Sequence, residues 1–164
     1  TRMALGERWL RDGLNEHSSV VSFGDVLLWL TEMGAPPQLL SLTSMAMADE
    51  VKHAHVMFTL SGIALGTLYQ PGGLARPAKR KTPLEIAKHT VLDGCIGEKK
   101  AAEMLRSEAE CMMDRCPELA SLWLGMANDE TKHAELAGLT VAWMVERGLV
   151  TWDMLPVKQN QNQQ

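Results

Sequence analysis

"ADEVKHA" occupies Ala48 to Ala54 and "NDETKHA" occupies Asn128 to Ala134, so nearly the same phrase is written twice, 80 residues apart. Each copy sets a glutamate and a histidine three residues apart, Glu50 with His53 and Glu130 with His133. Both pairs lie within stripes of apolar residues at spacings of three and four, the period of a helix face turned toward a core. The first stripe is Leu42, Ala46, Glu50, His53, Met57, Leu60 and Ala64; the second is Trp123, Met126, Glu130, His133, Ala137, Thr140 and Met144.

Two further stripes each carry one carboxylate. Trp9, Gly13, Glu16, Val20, Phe23, Leu27 and Leu30 share one helical face, as do Ala87, Val91, Cys95, Glu98, Ala102, Leu105 and Ala109. Glu16 precedes Glu50 by 34 residues and Glu98 precedes Glu130 by 32, so the chain reads as one helix pair written twice. Punctuation agrees. "GAPP" (Gly34 to Pro37) supplies a C-cap glycine and a first-turn proline, "TPLE" (Thr82 to Glu85) is a capping box, and "RCPE" (Arg115 to Glu118) and Gly148 mark later breaks. The spacing predicts helices at about 4–33, 37–66, 83–115 and 117–147, and no strand alternation bounded by hairpin turns is found. The expected fold is all-α, a four-helix bundle over residues 1–148, with 149–164 as a partly disordered tail, since "VKQNQNQQ" is nearly devoid of apolar side chains.

The composition excludes several functional classes. With 164 residues, 46% hydrophobic, 22% charged and a net charge of −4, the chain fits one globular domain and has no basic face for nucleic acid. No apolar run approaches the ~20 residues needed to span a bilayer. Cys95, Cys111 and Cys116 are odd in number and lack CxxC spacing, so neither a disulfide framework nor a zinc knuckle is expected. A reducing, cytoplasmic location is the expectation.

Four glutamates and two histidines on core faces demand a partner of opposite charge. A buried carboxylate costs several kcal/mol unless paired, neutralised or coordinated. Two divalent cations would cancel four carboxylates, and residues i and i+3 on a helix can grip a common site. One Glu from each of two helices, with Glu-x-x-His from each of the other two, is the ligand set of di-iron carboxylate bundles.

On these motifs, with "NEHSSVVSF", "GAPP", "DEVKHA", "GCIGE" and "DETKHA", the chain resembles ferritin-like di-iron carboxylate proteins over roughly residues 1–148, and is similar to small bacterial members of that superfamily. The resemblance implies a bundle with a long crossover between the second and third helices. Sixteen residues, Thr67 to Thr82, can extend about 53 Å, against the ~42 Å they must climb. It implies two irons, or an Mn/Fe or Mn/Mn pair, held by Glu16, Glu50, His53, Glu98, Glu130 and His133, with Glu50 and Glu130 bridging and Glu16 and Glu98 terminal. Asp49 and Asp129 would accept hydrogen bonds from the other motif's histidine, Asp49 from His133 and Asp129 from His53.

The ligand set is similar to that of bacterioferritin, yet Val51 stands where bacterioferritin presents its haem methionine, so no haem is expected. The resemblance points to an oxidoreductase activating O2 or peroxide, most concretely a ferroxidase acting on Fe(II), with a small-molecule substrate as the other case and an external electron donor. Iron storage or handling, and a metal centre that only staples the fold, are the alternatives; a homo-oligomer is compatible with each. Gly13, Gly94 and Cys95 are candidates to line a pocket beside the metals, close helix packing being the competing explanation for the glycines. "DGCIGE" carries one residue more than "DGLNE" before the ligand, a spacing that a π-bulge would absorb. His55 and His89 are expected to point away from the site, while Trp9 and Trp123 are expected to pack the core.

Overall fold

The structure is a computed structural model that describes residues 1–75 and 81–156. It is helical, with no strand among the described residues. Helix α1 runs over Arg2–Glu32 and α2 over Pro37–Leu65. Helix α3, Pro83–His89, continues through a π-helical segment, Thr90–Glu98, into α4, Lys99–Met112. Helix α5 covers Pro117–Glu146, and a short 3-10 turn follows at Trp152–Met154. These bounds fall within a few residues of the sequence expectation, the third helix being the continuous rod from Pro83 to Met112. Residues 76–80, within the segment expected to cross over, and the tail "VKQNQNQQ" lie outside the described residues.

Local chemistry sets the ends. Gly34 and Gly148 take left-handed φ of 75° and 68°, where a side chain would be strained, and so let the chain leave α1 and α5 abruptly. At α3, Thr82 Oγ1 accepts from the Glu85 amide at 3.2 Å while Glu85 Oε2 accepts from the Thr82 amide at 2.8 Å, a complete capping box.

The described residues group into two compact units, one formed by α1 and α2, the other by α3 to α5 with the 3-10 turn. In the first, α1 and α2 are antiparallel. Ser61 Oγ donates to the Gly6 carbonyl at 2.9 Å inside the core, and Gly6 lies against Ala64 and Leu65 while Gly13 lies against Met57 and Phe58. That register sets Glu16 opposite the turn of α2 that carries Glu50 and His53. In the second unit, Gly94 lies against Ala137, and Arg106 on α4 reaches Thr131 on α5. Glu98 is thereby set opposite Glu130 and His133.

Burial follows the stripes most closely in α5, where all seven stripe residues are buried. In α2 the buried face is broader, adding Leu39, Thr43, Ala54, Phe58 and Ser61, and Leu42, Leu60 and Ala64 sit at its half-buried edge. In α1, Val20, Phe23 and Leu27 are only half-buried, and Asp25 is buried instead. Past α5, Val150 and Leu155 are buried, so the start of the tail packs onto its unit.

Candidate metal centre

Each unit builds one triad of two carboxylates and one imidazole. In the first, ligand atoms of Glu16, Glu50 and His53 all lie within 4.8 Å of one another; in the second, those of Glu98, Glu130 and His133 do the same. Helical geometry produces both. Glu-x-x-His on α2 or α5 places two donors on adjacent turns of one face, and the antiparallel neighbour delivers the third.

Each histidine turns Nδ1 to a carboxylate, though at different positions of the triad. His133 Nδ1 faces Oε2 of Glu130, the glutamate of its own motif, at 3.1 Å, and His53 Nδ1 faces Oε2 of Glu16, on the neighbouring helix, at 3.7 Å. Glu50 is 1% exposed, Glu130 2%, His53 3% and His133 2%. Glu16 and Glu98 are half-buried. Each triad thus has two inner ligands and one nearer the solvent.

These residues fit a dication. An ion bound through nitrogen and oxygen at about 2.0–2.2 Å spreads its donors by about 4.4 Å at most. A triad already within 4.8 Å needs only a small contraction to close on it. With a neutral imidazole each triad carries two negative charges, and one dication balances them; without one, the desolvated carboxylates would cost several kcal/mol each. Carboxylate oxygen with imidazole nitrogen suits borderline first-row metals such as iron and manganese.

The flanking residues repeat as well. Lys52 Nζ donates to Asp49 Oδ1 at 2.7 Å, and Lys132 Nζ to Asp129 Oδ1 at 2.8 Å, each an i,i+3 pair on its own helix beside the inner ligands. His55 is exposed, and His89 pairs with Asp93 at 3.0 Å. Trp9 and Trp123 are buried.

The π-helical segment ends on Glu98, so the residue inserted in "DGCIGE" is taken up by a wider turn just before the ligand. Without it, Glu98 would be rotated by about 100° away from α5. The three candidate pocket residues part company here. A Cβ on Gly94 would meet Ala137 Cβ at 2.6 Å, and one on Gly13 would meet Met57 Cβ at 3.1 Å, so close helix packing accounts for both glycines. Cys95 lines a groove of about 330 Å³ between α4 and α5, and burial pushes its thiol up from the ordinary 9.0. Arg106, at the far end of that groove, was not singled out in the sequence, because an arginine on an outer helix position reads as a solvated charge; its one signal is its position two turns beyond Glu98.

Comparison of the chain with models of protein families, with curated proteins and with solved structures finds no match. No helix is long and apolar enough to cross a membrane among the described residues.

Proposed function

We propose that the chain is a ferritin-like di-metal carboxylate oxidoreductase that activates O2 or peroxide, with oxidation of Fe(II) as its most concrete activity. The observation that carries this reading is the repetition of one donor set, two glutamates and a histidine, in two helical units that share a sequence phrase. On this proposal the two triads join into one centre at the core of a four-helix bundle, with the crossover between α2 and α3. Glu50 and Glu130, the inner carboxylates, would be shared between two ions, and Glu16 with His53 and Glu98 with His133 would complete the set.

A pair of irons held there would supply the electrons by which oxygen is reduced. The protein's own residues do the rest. Burial of Glu50 and Glu130 keeps water from competing for the bridging positions. Nδ1 of each histidine is offered to the site, while Asp49 and Asp129 are paired with Lys52 and Lys132 beside the inner ligands, and Nε2 of neither ring makes the hydrogen bond expected to the opposite aspartate in this structure. Glu16 and Glu98, nearer the solvent, are the ligands placed to open a position for a substrate.

The test is anaerobic loading with Fe(II) followed by oxygen. Two irons per chain, consumption of O2 and growth of ferric absorption are expected. Continued turnover of added Fe(II) would favour iron handling over oxidation of another substrate, and bound metal inert to oxygen would reduce the centre to a structural staple and overturn the oxidoreductase reading.

A further inference from the structure

The groove between α4 and α5 is built differently from the rest of the surface. Its floor is Cys95, Ala102 and Ala134. Cys95 and Ala102 stand one turn before and one turn after Glu98 on the same rod, and Ala134 stands one turn after Glu130, so the floor lies along the faces that present two ligands. The volume, about 330 Å³, is that of a small-molecule site.

Four charged side chains line it, Lys99, Glu103, Arg106 and Glu135. Two positive and two negative groups give the groove no net charge, so neither sign of ligand is drawn by charge alone. They differ, however, in how they are held. Arg106 is exposed like the others, but its Nη2 donates to Thr131 Oγ1 at 2.6 Å and to the Ala127 carbonyl at 3.5 Å, and Thr131 Oγ1 in turn donates to the Ala127 carbonyl at 2.8 Å, so the guanidinium is tethered through one of its nitrogens. Lys99, Glu103 and Glu135 make no hydrogen bond or ion pair among the described residues, and each is exposed on a long side chain. A tethered planar fork is suited to a carboxylate, because part of the ordering cost has been met before the ligand arrives.

We infer that this groove binds a small aliphatic carboxylate, its head group on Arg106 and its hydrocarbon body along Cys95, Ala102 and Ala134 toward the Glu98 triad. The guanidinium is held at Thr131, the residue after Glu130, and Cys95 and Ala102 flank Glu98 by one turn, so a ligand anchored on Arg106 lies beside the residues that carry two ligands. The inference rests on the proposed function where it makes this ligand the substrate of the centre; the binding itself does not depend on metal.

The experiment titrates the full chain, as purified and after chelation, with hexanoate, 1-hexanol and hexylammonium, following heat and backbone amide shifts. Hexanoate is expected to bind tightest in both preparations, with shifts along residues 95–106 and 131–135. Arg106→Gln should weaken it at least about tenfold, the loss of a charge-assisted pair. Arg106→Lys should restore part of the affinity, since the charge returns without the planar fork. Preference for hexylammonium, equal binding of hexanol, or hexanoate affinity unmoved by Arg106→Gln would overturn the inference. Metal content, measured separately, decides the reading of the centre: two ions with no hexanoate binding sinks the groove alone, and hexanoate binding without metal sinks the centre alone.

Discussion

Gly94→Ala and Gly125→Ala should change stability in opposite directions. Both glycines are helical and distant from any turn. A Cβ at Gly125 meets nothing within 4 Å, so the substitution gains only the helix preference of alanine, about 0.5–1 kcal/mol. A Cβ at Gly94 comes to 2.6 Å from Ala137 Cβ, more than about 1 Å inside ordinary carbon contact. Ala137 has no rotamer with which to move aside, so the rod and α5 must separate just before Glu98. Overpacking of this kind costs about 1–3 kcal/mol, which outweighs the helix gain and leaves a net loss of about 1–2 kcal/mol. For a chain of this length that lowers Tm by roughly 2–8 °C, while Gly125→Ala raises it by about 1–4 °C. Thermal unfolding by circular dichroism reads both. The double variant Gly94→Ala/Ala137→Gly should recover most of the deficit that belongs to the contact. A Gly94→Ala protein as stable as Gly125→Ala, or a deficit untouched by Ala137→Gly, would refute the close approach.

Three further outcomes are expected. Thr82→Ala removes the hydroxyl half of the α3 capping box, leaving the Thr82 amide on Glu85, and should cost about 1 kcal/mol in urea unfolding, with Thr82→Ser nearly neutral. Alkylation followed by mass spectrometry should find the exposed Cys111 and Cys116 modified rapidly near neutral pH, and Cys95 slowly, its rate rising only at higher pH because burial keeps the thiol protonated past its ordinary value. Glu130→Ala removes a buried donor and should lower metal content, whereas Glu135→Ala, exposed five residues later, should leave it unchanged.

Much of the fold was legible because its signals are local. The capping box at Thr82, the proline starts at Pro37 and Pro117 and the glycine ends at Gly34 and Gly148 depend on a few neighbouring residues, and the helix bounds followed. The triads were legible for another reason: a glutamate and a histidine inside an apolar stripe are too costly to be accidental, and their repetition 80 residues apart doubles the signal. The single-residue insertion before Glu98 foretold the π-helical segment, since only a wider turn keeps both the upstream stripe and the ligand facing α5. What the sequence hid depends on tertiary approach. The contact of Gly94 with Ala137, the burial of Asp25 and the link from Arg106 to Thr131 each join residues whose own neighbours carry no trace of the partner.

On the proposed function, the two glutamate–histidine triads hold two dications. Metal analysis of the protein from cells grown with iron and manganese, together with Tm before and after chelation, tests this most directly. Two ions per chain, a marked loss of Tm on chelation, and loss of bound metal in Glu50→Ala and Glu130→Ala are expected. A well-folded, metal-free protein whose Tm is indifferent to chelator and to added Fe(II) would contradict the proposal.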